Sequence, residues 1–283
     1  MRTLVAPALV ASALAACGGK PKAAAEEPTP ATPACPATAT PQATTMEVLL
    51  HAALADASGL GPLAASFDIS PQRLLLLEDA QHLHLLGWGG IVPVDGLAPV
   101  DAFAYTPDGL LMTVRGNQLS YLAASGTLES LIELPSAGMG IAAGADSMFL
   151  FERQSATRRF GLFELAPGKK ARLLLESPEP IDAVAHAGPR VLLVSGGAVF
   201  EATPEQPMRV LAHLPGARRI QSVAADSASG RVYFSDGAAV FAVKDGCVGV
   251  VSSTLGGTLR VRDGALFVFD AKRRVLVRFP ALQ

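Results

Sequence analysis

The sequence predicts an all-β fold, a six-bladed β-propeller of four-stranded antiparallel blades. Three observations carry that expectation. Short apolar runs separated by Gly, Pro and Asp recur through residues 45–283. They group in fours with a period of about 40–45 residues, the size of one propeller blade. The last group has only three runs, and an N-terminal segment resembles the one it lacks.

The clearest unit runs from Pro99 to Pro135, PVDAFAYTPDGLLMTVRGNQLSYLAASGTLESLIELP. Its first strand recurs as PIDAVAHAGPR from Pro180 and RIQSVAADSASG from Arg219. Asp182 follows Asp101 by about 80 positions, which fits two repeats of about 40 residues. Second strands are expected at Leu110–Val114, Met148–Phe151, Val191–Val194, Arg231–Phe234 and Ala265–Phe269. They are apolar on both faces, as strands sandwiched between neighbouring sheets must be. Third strands, at Gln118–Leu122, Phe160–Leu165 and Ala238–Val243, follow hairpin turns containing Gly, Asp or Arg. Fourth strands fall at Thr127–Leu134, Ala171–Glu176, Met208–Leu214 and Val248–Ser252. An earlier unit comprises Phe67–Ile69, Leu74–Leu77, His82–Leu86 and Ile91–Val94.

The final unit, Thr258–Val261, Ala265–Phe269 and Val275–Phe279, would leave an open edge, an aggregation hazard that closed folds remove. Met46–His51 (MEVLLH) aligns with Met208–His213 (MRVLAH) and with Leu128–Glu133, so it is expected to complete this last blade. The alternative is a short amphipathic helix over Met46–Ala57, which contains good helix formers.

Composition narrows the partners. With 50% hydrophobic and 17% charged residues and a formal net charge of −2, the chain has no basic footprint for nucleic acid. Residues 1–16 pair one positive charge with an apolar run too short to span a bilayer, the pattern of an export signal. That run ends in Leu14-Ala15-Ala16-Cys17, which resembles the lipobox of bacterial lipoproteins. The resemblance implies diacylglycerol on Cys17, cleavage after Ala16, and anchoring to the cell envelope. Gly18 after the cysteine resembles the outer-membrane sorting pattern. The alternative is an ordinary secretory signal with a chance cysteine. Residues 17–44 then form a lipidated, Pro/Ala/Thr-rich tether that cannot bury a core. In an oxidising compartment Cys35 and Cys247 are candidates for a disulfide; otherwise Cys247 is a buried thiol and Cys35 unpaired.

Segments such as RVYFSDGAAVFAV (Arg231–Val243) and ALFVFDAKRRVLVRF (Ala265–Phe279) resemble the NHL and gluconolactonase/regucalcin group of six-bladed propellers. That resemblance implies a divalent metal held by an acid and asparagines at the tunnel mouth. The chain has one asparagine, Asn117, and it falls in a hairpin, so that ligand set is not reproduced. The positions expected at the mouth are Ala65, Asp101, Met139, Asp182, Gln221 and Gly257. Asp101, Asp182 and Gln221 are its polar candidates. Two carboxylates can hold a cation or share a proton if they meet, or can simply cap turns. His82 and His84 alternate along a strand and point to one face, where they could chelate a metal, but no third ligand can be named beside them and an exposed polar face is the favoured reading. His186 matches Tyr105 and Ala225 in the repeats and reads as a packing position. No cofactor, bound metal or catalytic triad is predicted. The expected function is a membrane-tethered binding or scaffold module for a protein, peptide or glycan. The alternative is an exported metal-assisted hydrolase or lyase working at the tunnel mouth.

Overall fold

A computed structural model describes residues 45–280, except 88, 95–96, 98, 135, 145–146, 154–158, 167–168, 204–205 and 215–217. Trp88 and the candidate sites Cys17 and Cys35 lie outside the described residues. The chain opens with β1 (Glu47–Leu50) and α1 (Ala52–Ala57). Blade 1 follows, made of β2 (Leu63–Ile69), β3 (Leu75–Asp79), β4 (Leu83–Gly87) and β5 (Gly90–Pro93). Blade 2 is β6 (Ala102–Tyr105), β7 (Leu111–Arg115), β8 (Gln118–Leu122) and β9 (Leu128–Glu133). Blade 3 is β10 (Gly138–Ala143), β11 (Met148–Arg153), β12 (Phe160–Leu165) and β13 (Arg172–Ser177). Blade 4 is β14 (Ala183–Ala187), β15 (Arg190–Ser195), β16 (Ala198–Thr203) and β17 (Gln206–His213). Blade 5 is β18 (Ser222–Asp226), β19 (Arg231–Ser235), β20 (Val240–Lys244) and β21 (Cys247–Ser252). Blade 6 is β22 (Thr258–Arg262), β23 (Ala265–Asp270) and β24 (Val275–Phe279), with β1 as its outer strand.

The six sheets are each four-stranded and antiparallel, and the innermost strands contact their neighbours in sequence around the ring. Apolar side chains of successive blades interleave, so the core is a ring of inter-blade layers. One layer joins Val199 and Ala212 of blade 4 to Val223 and Phe234 of blade 5. Another joins Leu50, Phe267 and Phe269 of blade 6 to Phe67 and Leu77 of blade 1, with Phe67 and Phe269 edge to face at 5.5 Å. Both faces of each middle strand are therefore buried, which is why those strands read as unbroken apolar runs.

The N-terminal segment resolves into both structures that its sequence allows. Glu47–Leu50 pairs with β24, and the helix starts only at Ala52, with the His51 ring accepting the Leu54 N–H at 3.2 Å. The alignment register holds residue for residue. Fourth strands β9, β13, β17 and β21 each meet the third strand through a register shift. β1 carries the same shift between Val48 and Leu50. Leu49 thus matches Leu131 and Leu211, the residues skipped in β9 and β17.

Candidate functional site

At one tunnel mouth, where the innermost strands begin, Ala65, Asp101, Met139, Asp182 and Gln221 line a cavity of about 210 Å³. These are five of the six expected positions; Thr258 stands where Gly257 was expected. The three polar candidates share one structural task. The backbone N–H groups of Asp101, Asp182 and Gln221 each donate to the second strand of their own blade, to Val114, Val194 and Ser235, all at 2.8 Å. Asp101 Oδ2 then accepts the Gly116 N–H at 2.6 Å, and Asp182 Oδ2 the Gly196 N–H at 3.2 Å. Gly116 and Gly196 turn the next hairpin with φ of 58° and 59°, a conformation glycine adopts without a Cβ penalty. Gln221 lies against the corresponding Gly237, where an added Cβ would come 2.6 Å from its Oε1.

Asp182 is further engaged by Arg219, whose Nε donates at 3.0 Å and whose Nη2 donates to the other oxygen. The hydrogen bonds and charge of Asp182 raise the Arg219 pKa further. Asp101 and Asp182 face one cavity from blades 2 and 4, each held to its own hairpin, and they form neither a shared-proton pair nor a common ligand group among the described residues.

The opposite mouth is tighter, about 120 Å³, and its charged lining residues are Asp68, Arg260 and Arg262. Asp68 Oδ2 accepts the Tyr105 N–H at 2.6 Å, while its Oδ1 lies 3.2 Å from Arg260 Nε. The Arg260 guanidinium also sits over the Phe67 ring, 5.7 Å from its centre. Arg262 donates to the Ile69 carbonyl at 2.8 Å, joining blade 6 to blade 1. Burial, with Asp68 adding to it, pushes the Tyr105 phenol up to about 12. His186 packs on Phe149 at 5.4 Å, the packing role its repeat position implies.

Between blades 2 and 3 lies an apolar cleft of about 470 Å³. Leu119, Leu131, Ile132, Met148 and Leu165 form its walls, and Thr106, Asp108 and Lys169 its polar margin. Leu131 is the residue skipped in the β8–β9 register, and that extra residue leaves it 52% exposed at the rim. The sequence reading did not anticipate this cleft, because it arises from how two blades splay rather than from any single segment.

His84 is not on an exposed face: it is buried on β4, its Nε2 2.8 Å from Asp79 Oδ2. His82 precedes the strand, and a third potential ligand, Asp79, stands beside both. Its signal was the Asp-x-x-His-x-His spacing across a hairpin. Cys247 is buried at the start of β21 and is disulfide-bonded. No helix among the described residues is long and apolar enough to cross a membrane.

No protein-family model and no curated protein matches this chain. Solved structures do match its fold. The chain is similar to a gluconolactonase from Xanthomonas campestris, with 15% identity and a TM-score of 0.63 over 85% of this chain and 96% of that one. It is similar to virginiamycin B lyase from Staphylococcus aureus, with 11% identity and a TM-score of 0.55 over 75% and 78% of the two chains. It is also similar to a chain of a nidogen/laminin complex, with 12% identity and a TM-score of 0.60 over 72% and 88%. At these identities the likeness establishes the propeller, and the same propeller occurs in enzymes and in a protein assembly.

Proposed function

We propose that this chain is a lipid-tethered protein of the bacterial cell envelope, anchored to its outer membrane, whose propeller is a binding module for a protein, peptide or glycan. The observation that carries the binding role is the commitment of Asp101 and Asp182 to their own hairpin turns, so that among the described residues these two carboxylates serve the backbone rather than a shared metal or proton. The apolar cleft between blades 2 and 3 supplies the complementary feature, a concave apolar surface with a few polar groups at its margin. The envelope role rests on Leu14-Ala15-Ala16-Cys17 and on the Pro/Ala/Thr-rich segment that follows. The disulfide at Cys247 supports an oxidising location, and pairing with Cys35 is the arrangement consistent with a lipidated Cys17.

A photo-crosslinker placed at Leu131 tests the binding role in intact cells, with a second at Val210 on blade 4 as control. A partner recovered from the first position and not the second supports it. No adduct from either, together with turnover of a lactone by the purified protein, would replace it with the alternative of a metal-assisted hydrolase or lyase at the tunnel mouth. Cys17→Ser tests the tether separately, and it should move the protein from the membrane fraction to the soluble one.

A further inference from the structure

Blade 1 departs from the repeat at the hairpin between its second and third strands. Blades 2 and 4 turn there on Gly116 and Gly196, held by Asp101 and Asp182. Blade 1 instead carries Asp79-Ala80-Gln81-His82-Leu83-His84. Asp79 Oδ1 accepts the N–H groups of Gln81 and His82 at 2.7 and 2.8 Å, which fixes the carboxylate plane and leaves Oδ2 facing His84 Nε2 at 2.8 Å, with a longer contact from the Gly61 N–H at 3.4 Å. His82, exposed on the turn, brings its ring to 6.1 Å from that of His84. One ligand atom from each of the three residues lies within 4.8 Å of the others.

We propose that Asp79, His82 and His84 form a divalent-metal site with the ligand preference of Zn²⁺. Two imidazoles and a carboxylate are the donors Zn²⁺ favours, whereas Mg²⁺ and Ca²⁺ prefer oxygen alone. Ligands about 2.0–2.2 Å from a tetrahedral ion lie roughly 3.4 Å apart. The Asp79–His84 contact, at 2.8 Å, is a direct hydrogen bond that the ion would replace, with the two atoms parting slightly to reach that spacing, while rotation of the exposed His82 ring brings in the third donor. His84 would bind through Nε2 with its proton on Nδ1. Three protein donors leave a fourth position for water or for an anionic group of a ligand, as in open zinc sites. The site lies on the hairpin of blade 1, apart from Asp101, Asp182 and the cleft between blades 2 and 3, so it stands or falls independently of the binding role.

The test is Zn²⁺ titration of the metal-stripped full chain, prepared without a histidine tag, by calorimetry and by metal analysis after dialysis. The expected result is about one Zn²⁺ per chain, with Mg²⁺ failing to compete. Substituting Co²⁺ should give the intense visible absorption of a tetrahedral ion. His82→Ala, exposed and so neutral to folding, should weaken Zn²⁺ by at least about 10-fold with an unchanged melting temperature. Asp79→Asn and His84→Ala remove the other donors and are read against their melting curves. No retained Zn²⁺, or retention unaffected by His82→Ala in a folded protein, would overturn the site and leave Asp79–His84 as a buried structural hydrogen bond.

Discussion

Glu47 and Arg278 face each other across the β1–β24 joint, with Arg278 Nη1 donating to Glu47 Oε2 at 2.9 Å. The same rung carries Arg172 against Glu164 in blade 3 and Arg209 against Glu201 in blade 4, with the signs exchanged between strands. The joint between distant parts of the chain is thus built like the outer-strand pairs of blades 3 and 4. Its strength is expected from packing: Leu50 and Leu276, paired across it, are both fully buried. Leu50→Ala should cost about 2–5 kcal/mol in denaturant unfolding. Glu47→Ala removes an exposed pair and should cost less than about 1 kcal/mol. Equal costs would show that the charge pair, not the packing, holds the ring closed.

Asp101 should behave as a structural residue. Asp101→Ala frees the Gly116 N–H from its acceptor and is expected to lower stability by about 1–2 kcal/mol. Asp182→Ala should cost at most about 1 kcal/mol more, because it also removes the ion pair with Arg219, which is exposed and stays hydrated without it. If either variant kept its melting temperature and lost a catalytic activity, the carboxylate would be serving the tunnel mouth instead.

Glu152 on β11 is fully buried, and although Ser136 offers its hydroxyl and N–H, neither carboxylate oxygen makes a hydrogen bond of full geometry. Desolvation raises its pKa above the ordinary 4.5, with Ser136 opposing the shift. A raised acid stabilises the fold below its unfolded pKa, and that contribution fades as pH rises through the folded value. Glu152→Gln should therefore raise the melting temperature at neutral pH by about 2–4 °C, equivalent to about 1 kcal/mol in a domain of this size. The gain should vanish below pH 4.5. A gain of equal size at both pH values would point to altered packing rather than to charge.

Asp236 should show the opposite slope. Burial acts to raise its pKa, but the N–H groups of Ala239 and Ala238 and the Arg218 guanidinium hold it below the ordinary 3.8. Its stabilisation is present above that value and is lost as pH falls through the folded pKa. At pH 7 Asp236→Ala is expected to cost about 1–3 kcal/mol, and the difference from the parent should shrink on acidification. A difference independent of pH would assign the loss to the turn backbone alone.

The blades were legible because both faces of a middle strand are buried, so runs such as Val191–Val194 stand out without any alternation to decode. The displaced strand was legible because MEVLLH repeats the pattern of MRVLAH down to the skipped residue. The mouth positions were legible for the same reason, since a repeat fixes where each first strand begins. Their role was less so: a lone Asp before a strand reads alike whether it faces a ligand or a turn, and only the Gly116 and Gly196 contacts decide it. Asp79 was legible only as the first residue of an Asp-x-x-His-x-His spacing, which puts it across a hairpin from His84 but does not by itself give their 2.8 Å contact.

The position of β1 also sets an order of assembly. Its partner lies 231 residues away along the chain, so blade 6 cannot be completed until almost everything between has been synthesised and gathered. Closing so long a loop carries a large entropic cost, and contacts of this separation form slowly. The five internally complete blades can zip up first as a curved, unfinished array. The seam then waits for two remote strands to meet, and meanwhile β24 offers its unpaired edge to any other strand nearby. A helper that occupies that edge during maturation would have to leave before β1 could dock.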